Sequence, residues 1–205
     1  MQIYKLKHLT KQKTLFLIKA LGEGKVIVYP TETSYGIGCD SADQLAVKKI
    51  FKIKRRPVNK AMTLLASDLV MARRYLNFDN LSLELAKKYW PGPLTLVLTK
   101  KSVKGQIFAS ASGKNQTIGI RLSSNNIATK LVKGLGRPII TTSANITGQQ
   151  PAYDVQKIIN YFKDKKYQPD IIIDAGPLKK QKTSTVIEIK NGKINILRQG
   201  PIKIK

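Results

Sequence analysis

The sequence predicts an α/β fold: a twisted, open sheet of mixed parallel and antiparallel strands with flanking helices, in one domain over residues 1–205. Three observations predict it. Short apolar runs alternate with helix-period segments early in the chain, the pattern of βα units. The end instead carries two strand-like runs, 185–189 and 193–197, joined at Asn191-Gly192, a favoured two-residue hairpin turn, so the sheet cannot be wholly parallel. No repeat, low-complexity tract or Gly/Ser linker divides the chain, and 205 residues suffice to bury a core.

Each element has a local reason. Thr10 caps a helix to residue 21, stopped by Gly22. The run Lys25-Val-Ile-Val-Tyr29 reads as a buried strand ended by Pro30. Ser41 and Gln44 form a capping-box pattern ahead of a helix to residue 54, with Leu45, Ile50 and Ile53 turned inward. A strand at 62–66 follows, then a short helix from a Ser67 cap to residue 76. Residues 81–90 are helical until Pro91-Gly92-Pro93 breaks the pattern. Strands at 94–99 and 117–122 flank a polar Ser-, Gly- and Lys-rich segment, 100–116. A helix over 126–133 ends near Gly134. Then 138–141 is a strand, 154–162 a helix and 171–174 a strand, before the closing hairpin.

Composition excludes much familiar chemistry. One cysteine, Cys39, rules out an internal disulfide framework and any CxxC-type metal site. The one histidine, His8, sits in a basic N-terminal stretch and argues against a His-dependent triad. No apolar run approaches the ~20 residues of a spanning helix. The first helical segment, flanked by lysines, lacks a signal-peptide pattern, so a cytoplasmic location and no membrane partner are expected. Lys and Arg number 37 against 12 Asp and Glu, a formal charge of +25 that attracts polyanions such as nucleic acid or nucleotides. Scattered lysine equally suits default surface filler. Placed arginine says more, because its planar fork binds phosphate or carboxylate in a bidentate manner.

Four segments stand out beside strands. Pro30-Thr-Glu-Thr-Ser-Tyr-Gly-Ile-Gly38 offers hydroxyls and a backbone that a ligand can approach closely, although an ordinary Gly-rich turn is the simpler account of it alone. Lys54-Arg55-Arg56-Pro57-Val58-Asn59-Lys60 gathers four cations at a helix end; it suits a triphosphate, or a solvated end complementing the helix dipole. Arg137-Pro-Ile-Ile-Thr-Thr-Ser-Ala-Asn145 runs a strand into hydroxyls that suit phosphate, or a Ser/Thr turn. Lys182-Thr-Ser-Thr-Val186 again leads hydroxyls into a strand. Arg121, inside an apolar strand, is expected to meet an anion such as a carboxylate. No GxxxxGK[ST], GxGxxG, HExxH or GxSxG motif is present.

Taken in order, these segments resemble the threonylcarbamoyl-AMP synthase family, the YrdC-type domain. The likeness rests on Pro30–Gly38, Lys54-Arg55-Arg56-Pro57, Trp90-Pro-Gly-Pro-Leu-Thr95, Arg121, Ser143-Ala-Asn145, Ser184-Thr-Val186 and Ile196-Leu-Arg-Gln-Gly200, and covers about 25–200. It implies a YrdC-like α/β fold and a nucleotidyltransferase. L-threonine, bicarbonate and ATP would give L-threonylcarbamoyladenylate and pyrophosphate, feeding t6A37 modification of tRNAs through a separate threonylcarbamoyl transferase complex. The partners implied are ATP, L-threonine, bicarbonate and that complex, with tRNA as a further one; Mg2+ would come with ATP, and no metal ligand from the protein is identified.

By the same resemblance Lys54, Arg56, Ser143 and Asn145 are catalytic. ATP falls to Arg56, Lys60, Thr117, Ser143 and Arg198, and threonine to Thr33, Arg121, Thr141 and Ser184, with Arg121 on the carboxylate. Arg55 is indifferent surface, Trp90-Pro-Gly-Pro shapes the fold, and Tyr35 packs on adenine or fills core. Two departures matter. Many relatives carry a histidine about where Leu65 falls, so one threonine contact is lost or supplied by Thr63 or water. Some relatives add a C-terminal domain, and with the sequence ending at Lys205 a more open or partner-covered site is expected. The main alternative is a non-catalytic tRNA or double-stranded-RNA-binding module of the same fold. A sister branch with another activity and the carbamoyl-adenylating domain of hydrogenase maturation are the others.

Overall fold

Ten strands form the frame in the computed structural model, whose described residues are 1–58, 60–101, 116–190 and 192–204. They are β1 (Gln2–Lys5), β2 (Ile27–Pro30), β3 (Tyr35–Asp40), β4 (Thr63–Ala66) and β5 (Leu94–Thr99). After these come β6 (Thr117–Leu122), β7 (Ile139–Ser143), β8 (Ile171–Asp174), β9 (Thr185–Lys190) and β10 (Lys193–Arg198). All join one sheet in the order β1-β8-β2-β3-β7-β4-β6-β5-β9-β10. The pairs β1/β8, β2/β8, β4/β6 and β5/β9 are parallel and the rest antiparallel, the mixed open sheet that the sequence predicts.

Alternation along the central strands gives the sheet two different faces, because successive side chains point to opposite sides. One face carries Val28, Ile37, Cys39, Ile140, Leu64 and Ile120, all fully buried. Burying each large aliphatic among them contributes about 1.5–3 kcal/mol. The other face carries Gly36, Gly38, Thr141, Ser143, Thr63, Gly119 and Arg121, brought into line by the same registers. The helices are α1 (Lys11–Gly22), α2 (Gln44–Lys54), α3 (Leu69–Tyr75), α4 (Asn80–Tyr89), α5 (Asn126–Leu135) and α6 (Val155–Phe162). Among them α1 packs on α5, and α1, α2 and α5 contact β2, β3 or β4.

Several local expectations change. Residues 35–40 continue beyond the predicted loop as β3, where Tyr35, Ile37 and Cys39 alternate with Gly36, Gly38 and Asp40, and Gln2–Lys5, without such alternation, forms an edge strand on β8. The cap of α2 is Asp43, whose carboxylate accepts from the backbone N–H of Leu45 and Ala46, rather than Ser41. Leu45 therefore faces solvent at 77% exposure, while Ala46 and Val47 turn inward beside Ile50 and Ile53. The cap of α3 is Asp68, with Ser67 donating to it at 2.7 Å. Gly134 lies inside α5, where a Cβ would stand 2.2 Å from Ile18 Cδ1; it permits close approach to α1, and the helix ends instead at left-handed Gly136. The segment 102–115, Asn59 and Asn191 lie outside the described residues.

Candidate functional site

The hydroxyl- and glycine-bearing face forms the floor of a cavity of about 120 Å³. Of the sequence-predicted residues, Thr33, Arg121, Thr141, Ser143, Ser184 and Arg198 line it. The short turn between β2 and β3 supplies Thr33, whose hydroxyl lies 3.1 Å from that of Thr31. Thr31 donates to Ser34 O at 2.6 Å and so closes the turn on itself. Thr141 accepts from the Tyr29 hydroxyl at 2.7 Å. Burial pushes the Tyr29 phenol up to about 12.

Two arginines define the charge of the cavity. Arg121 projects from β6 and is 8% exposed; its Nη1 lies 3.4 Å from Thr33 Oγ1 and 3.7 Å from Glu32 Oε1. Its Nε is buried and has no hydrogen-bond partner. Arg198, at the end of β10, donates through Nε to Ser184 O and through Nη2 to Ser184 Oγ, both at 3.0 Å. Burial, and then the charge of Arg121, hold the Arg198 guanidinium below its ordinary value. Two cations that disfavour each other, one with a buried unpaired N–H, are chemically complementary to an anion.

The remaining predicted residues lie outside the cavity lining. Lys54 is 2% exposed, and its ammonium donates to the backbone carbonyls of Ser143 and Asn145. Burial, then the nearby Arg56 charge, lower it to about 7. It braces the Ser143–Asn145 turn from behind, where Ser143 Oγ also donates to Asn145 Oδ1. Arg56 donates to the carbonyls of Lys60 and Ala61, so it holds the segment before β4 in shape. Lys60 is exposed, and Thr117 opens β6 at the end of the β4/β6 pair where Ala61 lies. Arg55 is exposed at the left-handed end of α2.

Tyr35 belongs to the scaffold: its hydroxyl donates to Gly176 O and accepts from Ala175 N, each at 2.8 Å. Trp90 Nε1 donates to Leu94 O, and Gly92 N to Leu122 O, so that stretch shapes the start of β5. Yet Thr95, in the same stretch, is a cavity residue that sequence reasoning missed; its hydroxyl lies 3.0 Å from Ser184 Oγ. Thr63, offered by the sequence as a substitute for the family histidine, does line the cavity, whereas Thr31 was missed. A hydroxyl in the first positions of an otherwise apolar strand was the available signal for Thr95. Leu65 is buried and pairs in register with Arg121 and Ile139.

The donors of the cavity are hydroxyls and guanidinium groups, and no cluster of three His, Cys, Asp or Glu occurs among the described residues. That set does not fit a divalent cation held by the protein, which wants carboxylate or carbonyl oxygen. Among the described residues no helix is long and apolar enough to cross a membrane.

The Sua5/YciO/YrdC family model, described as "Telomere recombination", matches residues 19–200. A Methanocaldococcus jannaschii protein named "Putative threonylcarbamoyl-AMP synthase" is 35% identical over 205 residues, covering 100% of this chain and 94% of that protein. The crystal structure of P. abyssi Sua5 complexed with L-threonine matches with a TM-score of 0.88 and 31% identity, over 98% of this chain. The match takes in only 58% of Sua5, so the chain spans well under two thirds of that relative. E. coli YciO matches with a TM-score of 0.87 and 29% identity, over 100% of this chain and 97% of that one. With a family model over most of its length and a relative at 35% identity from end to end, the chain belongs to the Sua5/YciO/YrdC family.

Proposed function

We propose that the protein is an L-threonylcarbamoyladenylate synthase, joining L-threonine, bicarbonate and ATP with release of pyrophosphate. The observation that carries this is Arg121: a buried guanidinium with an unpaired Nε, beside Thr33 and Thr141 hydroxyls, on the floor of a cavity. Such a group suits an amino-acid carboxylate, and the hydroxyls suit a polar side chain and an amine. The relative with L-threonine bound shares this fold.

Chemically, the threonine amine attacks CO2 derived from bicarbonate, losing a proton, to give a carbamate. The carbamate oxygen then attacks the α-phosphorus of ATP, and the bond to the β-phosphate oxygen breaks as pyrophosphate leaves. No protein nucleophile enters the sequence, in keeping with a lining of hydroxyls and arginines. The protein contributes by holding two anionic reactants together and offsetting phosphate charge. Arg198 and Ser143, which line the cavity, are assigned with Lys60 and Thr117 to the ATP side; Lys54, Arg56 and Asn145 would hold that side in shape. Magnesium would come with the nucleotide. The product would serve t6A37 modification of tRNA through a separate transferase complex, in the cytoplasm.

The test is pyrophosphate release with ATP and magnesium, omitting L-threonine and bicarbonate in turn. Release that needs both supports the synthase. The formal charge of +25 favours a second reading, a tRNA or double-stranded-RNA-binding module. Steeply salt-dependent RNA binding without pyrophosphate release would favour that module.

A further inference from the structure

Glu32 has no role in the chemistry above, yet it is the one acidic group beside Arg121 among the described ion pairs. It sits in the turn between β2 and β3, and its side chain is 15% exposed. Its Oε2 accepts from Ser123 Oγ, two residues beyond Arg121 at the end of β6. Its Oε1 is buried, has no hydrogen bond, and lies 3.7 Å from Arg121 Nη1. That separation is too long for a hydrogen bond but close for a charge pair at low dielectric. In the sheet, β7 and β4 separate β3 from β6. The Glu32–Ser123 bond therefore ties the turn before β3 to the end of β6, beyond the two intervening strands.

A guanidinium is a flat fork with two usable edges, and its orientation decides which edge meets a ligand. Here Glu32 and Thr33 both face Nη1, while Nε stays buried and unpaired. We propose that Glu32 is the positioning residue for Arg121: it holds the Nη1 side, so that the edge carrying Nε is presented to the substrate carboxylate, and Ser123 holds Glu32. The carboxylate also keeps the buried arginine paired while the cavity is empty, when an unpaired charge would be costly. This rests on the reading of Arg121 as the carboxylate-binding group.

The experiment is calorimetric titration of wild type, Glu32→Ala, Glu32→Gln and Ser123→Ala with L-threonine and, separately, ATP, with thermal melts as the check on folding. Glu32→Ala is expected to weaken L-threonine binding by at least about tenfold while ATP affinity stays within about twofold. Glu32→Gln, which keeps the shape and the bond with Ser123, should recover part of that loss. Ser123→Ala should weaken L-threonine by about threefold through freeing Glu32, and it keeps the test alive if Glu32→Ala fails to fold. In turnover the change should fall on KM for threonine rather than on kcat. Folded Glu32→Ala or Ser123→Ala protein that binds L-threonine as tightly as wild type, or tighter, overturns the positioning role alone. Wild-type protein that does not bind L-threonine overturns the proposed function itself.

Discussion

Arg121 and Lys54 are both cations buried in a sheet protein, and their surroundings separate their roles. Arg121 lines a cavity and keeps a buried unpaired N–H, so it is set up for a ligand. Replacing it with alanine should weaken L-threonine by roughly ten- to a hundredfold, the loss of a charged hydrogen-bonding partner. Unchanged threonine dependence would remove its carboxylate role. Lys54 instead spends its donors on the carbonyls of Ser143 and Asn145. Its value in the folded protein, about 7, lies below the ordinary 10.5. Between those values the unfolded chain binds the extra proton, so stability rises with pH, by up to about 1.4 kcal/mol per unit. Below about 7 both states are protonated and the burial cost is present in full. Denaturant unfolding between about pH 7 and pH 8.5 should show this rise in wild type and not in Lys54→Met. The upper limit stays near or below the range where the buried Cys39 thiol, held above its ordinary value, would oppose the trend.

At the scale of elements, two glycines on one sheet face do different work. A Cβ on Gly38 of β3 would stand 2.6 Å from Ile140 O and 2.7 Å from Ile139 Cγ2, against the backbone of the neighbouring β7. Backbone cannot step aside without disturbing the ladder. Gly38→Ala should therefore cost about 1–3 kcal/mol, lowering Tm by several degrees in a melt. On Gly119 of β6 the same atom would meet Thr95 Cγ2 at 3.1 Å and Thr63 Oγ1 at 3.2 Å, both ends of side chains that form the cavity floor. Gly119→Ala should melt close to wild type but bind L-threonine several-fold more weakly. A variant that melts normally and binds normally would show that the floor is not used.

Over the whole molecule, the acids are few and most have local tasks. Asp43, Asp68, Asp79 and Asp154 cap helices, while Asp40 pairs with Arg137 and Asp170 with Lys49. Glu32 faces Arg121. Little negative charge is left to offset the surface lysines, so the folded state carries self-repulsion from its charge of +25. Tm should climb as sodium chloride is raised from low to moderate concentration, as screening relieves that repulsion. A flat or falling profile would show that the cations are locally neutralised.

Much of this architecture was readable in the order of residues. Strands β5, β6, β7 and β8 follow from apolar runs, α1 from its Thr10 cap, and the closing hairpin from two strands around Asn191-Gly192, because these signals act between neighbours in sequence. Arg121 was legible because a charge in an apolar strand is rare without a partner. Choices between adjacent capping residues, as between Ser41 and Asp43, were not legible, since both fit the local pattern and only backbone direction after β3 selects one. The role of Gly134 depended on Ile18, more than a hundred residues away. Strand order was equally out of reach, and it decided the site. Registers across β3, β7, β4 and β6 place Gly38, Thr141, Thr63 and Gly119 in one row. Thr95 meets Ser184 only because β5 runs beside β9. The sequence by itself determined which residues would be apolar, capping or charged; the pairing of strands far apart in the chain decided which of them share a cavity. Side-chain chemistry is local, whereas a binding site is made by contacts between distant segments.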